Sequence, residues 1–152
     1  MAVKKVKKKK EFDLKSFIIR ELRRAFRRSP LYSGTKNRFK HEYFEPSKTG
    51  KPMRRVHYKC AKCGLFFLDK AGQRDIAVDH VLPIISVDTG WVDYDSFVKG
   101  LFCGEDNLQI LCNYAGERNG VKSCHKIKTE EERAILAKTK KVLKEKKNGI
   151  VL

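Results

Sequence analysis

Cysteine spacing gives this chain its clearest chemical signal. Cys60 and Cys63 stand in Lys59-Cys60-Ala61-Lys62-Cys63-Gly64. A tight turn over that spacing can present two thiolates to one tetrahedral ion, with Gly64 relieving the turn. A tetrahedral site needs two further ligands. Cys112 and Cys124 are the best candidates, because each borders an expected element; Cys103 is read as a free thiol, with a substitute ligand as the alternative. Four thiolates make a closed structural zinc site, which would staple the first hairpin to the C-terminal helix. A redox dithiol and ordinary buried thiols are the competing readings. A redox Cys-x-x-Cys opens a helix behind a strand, and that context is missing around Cys60.

Histidines supply the second signal. His80 follows Asp79, His125 follows Cys124, and Asn107 opens the apolar run Leu108-Gln109-Ile110-Leu111. Phosphodiester hydrolysis needs a base to activate water and a cation to stabilise charge on the phosphate and leaving oxygen. It also needs a group that holds the base in orientation. A neutral imidazole can be the base at pH 7. A carboxylate and a second imidazole can hold one divalent ion and leave positions for water and phosphate. Adjacent strand residues point to opposite faces, so Asp79 and His80 reach one site only where the strand ends or kinks. Pro83 and the loss of alternation after His80 allow for that. Taken singly, each residue has a duller explanation, such as a hydrogen-bonded surface pair. His41 and His57 are read as structural or exposed and carry no role.

The ordered set is Cys-x-x-Cys, Asp-His, Asn-Leu-Gln and Cys-His. It resembles the HNH endonuclease family, whose members carry a hairpin-plus-helix ββα-metal core. The matching stretches are Tyr58-Lys59-Cys60-Ala61-Lys62-Cys63-Gly64, Val78-Asp79-His80-Val81-Leu82-Pro83, Asn107-Leu108-Gln109-Ile110-Leu111-Cys112 and Cys124-His125-Lys126-Ile127-Lys128-Thr129. The segment Phe17-Ile18-Ile19-Arg20-Glu21-Leu22-Arg23-Arg24-Ala25 is similar to the leader of small bacteriophage HNH proteins. The resemblance implies that His80 is the general base, that Asp79 and His125 bind a catalytic Mg2+ or Mn2+, and that Asn107 steadies the loop carrying His80. It implies a zinc held by Cys60, Cys63, Cys112 and Cys124, away from the reaction. The implied reaction is hydrolysis of DNA phosphodiesters to 5′-phosphate and 3′-hydroxyl ends. One departure is the stretch 113–123, which separates the last two cysteines where the family has a second Cys-x-x-Cys. A surface loop of that size is cheap in closure entropy. Arg118 and Lys122 within it are further candidates for DNA contact.

The elements that must position these residues follow from patterning. Asp13 can cap a helix in which Leu14, Phe17, Ile18, Leu22, Ala25 and Phe26 recur at helical spacing, with Pro30 ending it after Ser29. Two short strands are expected from Val56 to Phe67, around a turn at Cys60–Gly64. Residues 76–85 form another apolar stretch. A short helix is expected over Tyr94–Phe102 and a strand over Leu108–Leu111. Thr129 with Glu132 matches a capping box, so a helix is expected from there to about Lys147, and Cys124–Lys128 either belongs to that helix or forms a turn of its own. The expected fold class is α+β, a small zinc-stapled ββα-metal core with an N-terminal amphipathic helix and a C-terminal helix. The division expected is a basic disordered arm (1–12), a helix and basic DNA-contacting segment (13–55), a nuclease core (56–147) and a tail (148–152).

Charge sets the class of partner. The 152 residues carry a net charge of +17. Residues 1–55 hold 19 Lys and Arg against 5 Asp and Glu, residues 56–125 hold 7 against 9, and residues 126–152 hold 9 against 4. Two cationic flanks around a near-neutral centre concentrate polyanions, and each phosphate they neutralise releases a counterion. Arg20, Arg23, Arg24, Arg27, Arg28, Arg54 and Arg55 are the expected DNA contacts, with little sequence preference. Tyr32, Phe39, Tyr43 and Phe44, set among basic residues, suit either nucleic acid or core. No apolar run reaches the length of a membrane span, and no export signal precedes the lysines. A cytoplasmic location is therefore expected, which is the bacterial host's if the chain is phage-encoded, with phage packaging proteins as partners that the resemblance implies. The alternative function is a zinc-stabilised nucleic-acid-binding module without catalysis.

Overall fold

The computed structural model describes residues 11–70 and 73–148. Residues 1–10 of the expected arm and 149–152 of the expected tail lie outside the described residues. Among the described residues the architecture is α+β, with four α-helices and small antiparallel sheets.

Helix α1 spans Leu14–Arg27. Asp13 caps it as expected, its carboxylate accepting from the Ser16 amide at 3.1 Å and the Ser16 hydroxyl at 2.6 Å. Such a cap satisfies one of the orphan amides of the first turn. Arg24 and Arg27 in the last turn complement the helix dipole. The buried stripe is narrower than the sequence suggests. Ile19, Leu22 and Phe26 face the core, whereas Leu14 and Phe17 are exposed.

Pro30 does more than end this helix. It opens α2 (Pro30–Arg38), with Ser29 as N-cap accepting from the Tyr32 amide. Proline suits the first helical position, because its φ is preset and its missing N–H would be unpaired there. The basic segment that follows is a hairpin of β1 (Lys40–Pro46) and β2 (Pro52–Lys59), paired from Lys40↔Tyr58 to Pro46↔Pro52. The strand expected from Val56 thus starts at Pro52, and its main partner is β1. Strand β3 (Phe66–Phe67) adds only Tyr58↔Phe67 and Lys59↔Phe66. Short β4 (Asp69–Lys70) and β5 (Gln73–Arg74) pair next.

The centre is β6 (Ile76–His80) paired antiparallel with β7 (Leu108–Cys112). Between them lie α3 (Tyr94–Leu101) and a 3-10 turn, Glu105–Asn107. The stretch 113–123 folds back as a hairpin of β8 (Glu117–Arg118) and β9 (Val121–Lys122). Its corner is Asn119-Gly120, with φ of 52° and 72°, the primed turn that two-residue hairpins favour. Helix α4 (Cys124–Asn148) begins at the last cysteine. Thr129 is therefore inside the helix, where its hydroxyl donates to the His125 carbonyl at 2.8 Å instead of forming a capping box.

Two apolar clusters meet at Val78. One gathers Tyr58, Phe67, Ile76, Ile110, Leu111 and Tyr114 around Cys60, Cys112 and Cys124. The other joins Phe26, Phe97, Leu101 and Leu108. Among the described residues, no helix is long and apolar enough to cross a membrane.

Candidate active site

Cys60, Cys63, Cys112 and Cys124 come together with all four Sγ atoms within 4.8 Å of one another. A tetrahedral zinc with bonds of about 2.3 Å requires sulfurs about 3.8 Å apart, so the donor set and its spacing fit that ion. The knuckle is fixed by main-chain bonds. The Cys60 amide donates to Leu65 O and the Gly64 amide to Cys60 O, both at 2.9 Å, with Gly64 at φ 72°. The Ala61 amide donates to Ile110 O at 2.8 Å and ties the knuckle to β7. The β8–β9 hairpin closes the long gap, so that the Cys124 amide lies 3.1 Å from Cys112 Sγ and the Cys112 amide 3.3 Å from Cys60 Sγ. Burial pushes the Cys60 thiol up, but amides of Cys63, Cys112 and Lys62 outweigh it and hold it below the ordinary value. Burial pushes Cys112 up against the amide and thiol of Cys124, which lower it, whereas burial and then the neighbouring sulfurs all push Cys124 up. Cys103 stands apart, packed beside the second apolar cluster.

Of the other candidate residues, Asp79, His80, His125, Arg23 and Arg27 line one cavity of about 640 Å3, together with Lys128, whereas Asn107 is not on its wall. Strand β6 ends at His80, and the neighbours Asp79 and His80 both border this space. His80 is buried against the Phe26 ring, 5.2 Å between centroids. Its Nε2 lies 3.0 Å from the Leu101 carbonyl. A carbonyl only accepts, so Nε2 carries the proton and the neutral ring keeps its lone pair on Nδ1. Burial lowers the imidazole below its ordinary 6.5, outweighing the Leu101 carbonyl and the Asp79 charge.

Asp79 sits opposite Gln109 in the β6–β7 register. Gln109 Nε2 donates to Asp79 Oδ2 at 3.1 Å and Lys128 Nζ donates to the same oxygen at 2.6 Å. Asp79 Oδ1 lies 4.0 Å from His125 Nε2, which projects from the first turn of α4. Lys128 also donates to the His80 carbonyl and pairs with Glu132 at 3.0 Å. Burial works against the Lys128 charge, but Asp79 and Glu132 outweigh it and hold the ammonium above the ordinary lysine value.

Asn107 Oδ1 accepts from the Leu82 amide at 2.7 Å, and its Nδ2 donates to Leu82 O at 3.3 Å. The Val81 amide donates to Asn107 O at 2.8 Å. Arg38 secures this turn from α2, donating to Glu105 O and Leu108 O at 2.7 Å each. Neither Arg38 nor Lys128 stood out in the sequence. Each is one cation among 35 Lys and Arg, and only folding gives it a carbonyl or carboxylate to hold.

The chain has no match among family models, curated proteins or solved structures.

The expected DNA-contacting arginines fall into groups. Arg23 and Arg27 line the cavity. Arg20 and Arg24 both pair with Glu21, and the Arg28 amide closes the end of α1. Across the β1–β2 hairpin Arg54 pairs with Glu42, and Arg55 pairs with Glu45 at 3.1 Å. Bonds from Arg54 and Lys40 hold the Glu42 carboxyl down to about 2. Arg118 and Lys122 are also engaged, with Asp75 and Glu130, each at 2.8 Å. Of the interspersed aromatics, Tyr32 and Phe39 pack on the core, while Phe44 is exposed. Tyr43 stacks on His57 at 4.5 Å, and His57 on Phe66 at 4.2 Å, so His57 belongs to an aromatic row on the hairpin.

Proposed function

We propose that this chain is a metal-dependent endonuclease of the HNH type, in which β6, β7 and α4 form a ββα-metal core that hydrolyses DNA phosphodiester bonds. One observation carries the reading. Asp79 Oδ1 and His125 Nε2 are 4.0 Å apart on the cavity that His80 also borders. Donors about 2.1 Å from one octahedral ion stand about 3.0 Å apart when adjacent and about 4.2 Å apart when opposite, so this pair comes within shared-ligand reach after a small side-chain adjustment.

Asp79 and His125 would hold Mg2+ or Mn2+, which when bound supplies positive charge to the phosphate and leaving oxygen. His80 takes the proton of the attacking water on Nδ1, because Nε2 is committed to the Leu101 carbonyl. Burial keeps that imidazole neutral and ready to accept a proton near pH 7. Asn107 holds the main chain at Leu82, two residues beyond the base. Arg23 and Arg27 on the cavity wall bind the DNA backbone without reading sequence. Zinc on Cys60, Cys63, Cys112 and Cys124 would hold the knuckle, β7 and α4 together and take no part in cleavage. The resemblance implies a setting in phage DNA processing or packaging, within the host cytoplasm.

The competing reading, a zinc-stapled DNA-binding module, draws on Lys128, whose ammonium 2.6 Å from Asp79 already neutralises that carboxylate. A plasmid assay separates the two. Wild type nicks or cuts supercoiled DNA with Mg2+ or Mn2+, and His80→Ala binds the plasmid but leaves it intact. Wild type that binds plasmid yet never nicks it with either ion overturns the nuclease reading.

A further inference from the structure

The two oxygens of Asp79 have different partners. Oδ2 accepts from Lys128 Nζ at 2.6 Å and from Gln109 Nε2 at 3.1 Å. Oδ1 faces His125 Nε2 at 4.0 Å. Lys128 is fixed at its other contacts, by the His80 carbonyl and by Glu132 at 3.0 Å, and its side chain is only 18% exposed. Gln109 is fixed by its place directly opposite Asp79 across the strand pair.

A carboxylate held this way offers a metal ion one oxygen. Offering both would require giving up the ammonium and the carboxamide together. Mg2+ keeps octahedral geometry with single carboxylate oxygens and waters, and Mn2+ accepts the same arrangement. Ca2+ is larger, takes six to eight oxygens and readily uses both oxygens of one carboxylate.

We propose that Lys128 is a specificity-determining residue: by occupying Oδ2 it confines Asp79 to one-oxygen ligation and selects small octahedral cations against Ca2+. The proposal rests on reading Asp79 and His125 as a cation site. Lys128 acts through Asp79 and is a positioning residue.

The test is direct binding of Mn2+, followed by electron paramagnetic resonance on the full chain loaded with Zn2+, with Ca2+ as competitor. Wild type takes up Mn2+ at a site lost in Asp79→Asn, and Ca2+ displaces it poorly. In Lys128→Met the preference for Mn2+ over Ca2+ falls by about tenfold, the scale on which partners of metal ligands act. Lys128→Arg keeps a charged donor and retains most of the preference. Loss of the cation can raise affinity for every divalent ion, so the ratio is the readout. Lys128→Ala removes the same donor without leaving a long apolar chain in the cavity and shifts the ratio the same way, which covers the case where Lys128→Met does not fold. An unchanged ratio in the folded variants, with Mn2+ uptake still dependent on Asp79, overturns the proposal and leaves the cation site standing. Absence of any Asp79-dependent Mn2+ uptake in wild type overturns both.

Discussion

Asn107 and Leu82 pair through a side chain on one partner and the main chain on the other, with 2.7 Å from the Leu82 amide to Oδ1 and 3.3 Å from Nδ2 to the Leu82 carbonyl. The pair fixes the chain just after His80. Leu82 itself is 70% exposed, so water can replace the lost bonds in Asn107→Ala. The expected stability loss is about 0.5–1.5 kcal/mol, the net worth of an ordinary hydrogen bond. Under the nuclease reading cleavage suffers more, because a misplaced catalytic group costs on the order of 100-fold. Thermal melts and single-turnover cleavage measure the two effects. A cleavage loss no larger than the stability loss explains would deny Asn107 its positioning role.

Burial of His80 implies a pH dependence of one sign for stability and, under the nuclease reading, for activity. Its imidazole titrates below the ordinary 6.5 because it is buried. In the window below 6.5 the unfolded chain therefore binds more protons than the folded one, and stability rises with pH. The contribution is complete above about pH 6.5 and is lost as pH falls through that window. Activity that depends on neutral His80 holds to a lower pH than a free imidazole would allow. Denaturant titrations of wild type and His80→Gln between pH 5 and 8 isolate the term. Equal pH slopes for the two proteins would contradict it.

Cys112 decides whether the cluster is one four-sulfur site. Cys112→Ser is expected to lower zinc stoichiometry or affinity and to destabilise the fold, since metal binding in such sites is folding free energy. Chelation of wild type lowers its melting temperature by the same logic. Elemental analysis and calorimetry with and without EDTA provide the check. A protein free of zinc, with Cys60 and Cys63 joined in a disulfide, would return the pair to redox chemistry.

Arginines on the cavity wall and on the hairpin are expected to differ in DNA binding. Arg23 and Arg27 line the cavity, whereas Arg54 and Arg55 already pair with Glu42 and Glu45. Each phosphate contact removed lowers the slope of log K against log salt by about 0.9. Arg23→Ala and Arg27→Ala should each approach that change, and Arg54→Ala and Arg55→Ala should fall well short of it. Fluorescence anisotropy with duplex DNA at several salt concentrations measures the slopes. Equal slopes for all four variants would remove the distinction.

Local signals in the sequence carried a large share of the fold. Asp13 as a cap, the Cys60–Cys63 knuckle and the Leu108 strand were legible because each rests on contacts within a few residues. Pro30 was legible as the end of one helix but not as the start of the next, since the same fixed φ serves both. The β1–β2 hairpin was hidden because charges occupy both of its faces and weaken the alternation that marks a strand. The sequence leaves the start of α4 open between Cys124 and Thr129, because the Thr129 and Glu132 pattern fits a helix interior as well as a cap.

The candidate site divides the same way. Residue types and order named Asp79, His80, Asn107, His125 and the four cysteines. Tertiary structure alone decided that Asp79 and His125 lie 4.0 Å apart, that the hairpin at 113–123 returns Cys124 to Cys112, and that Lys128 closes one oxygen of Asp79. Those relations come from strand register and helix docking, which depend on how distant segments pack and leave no trace in local spacing.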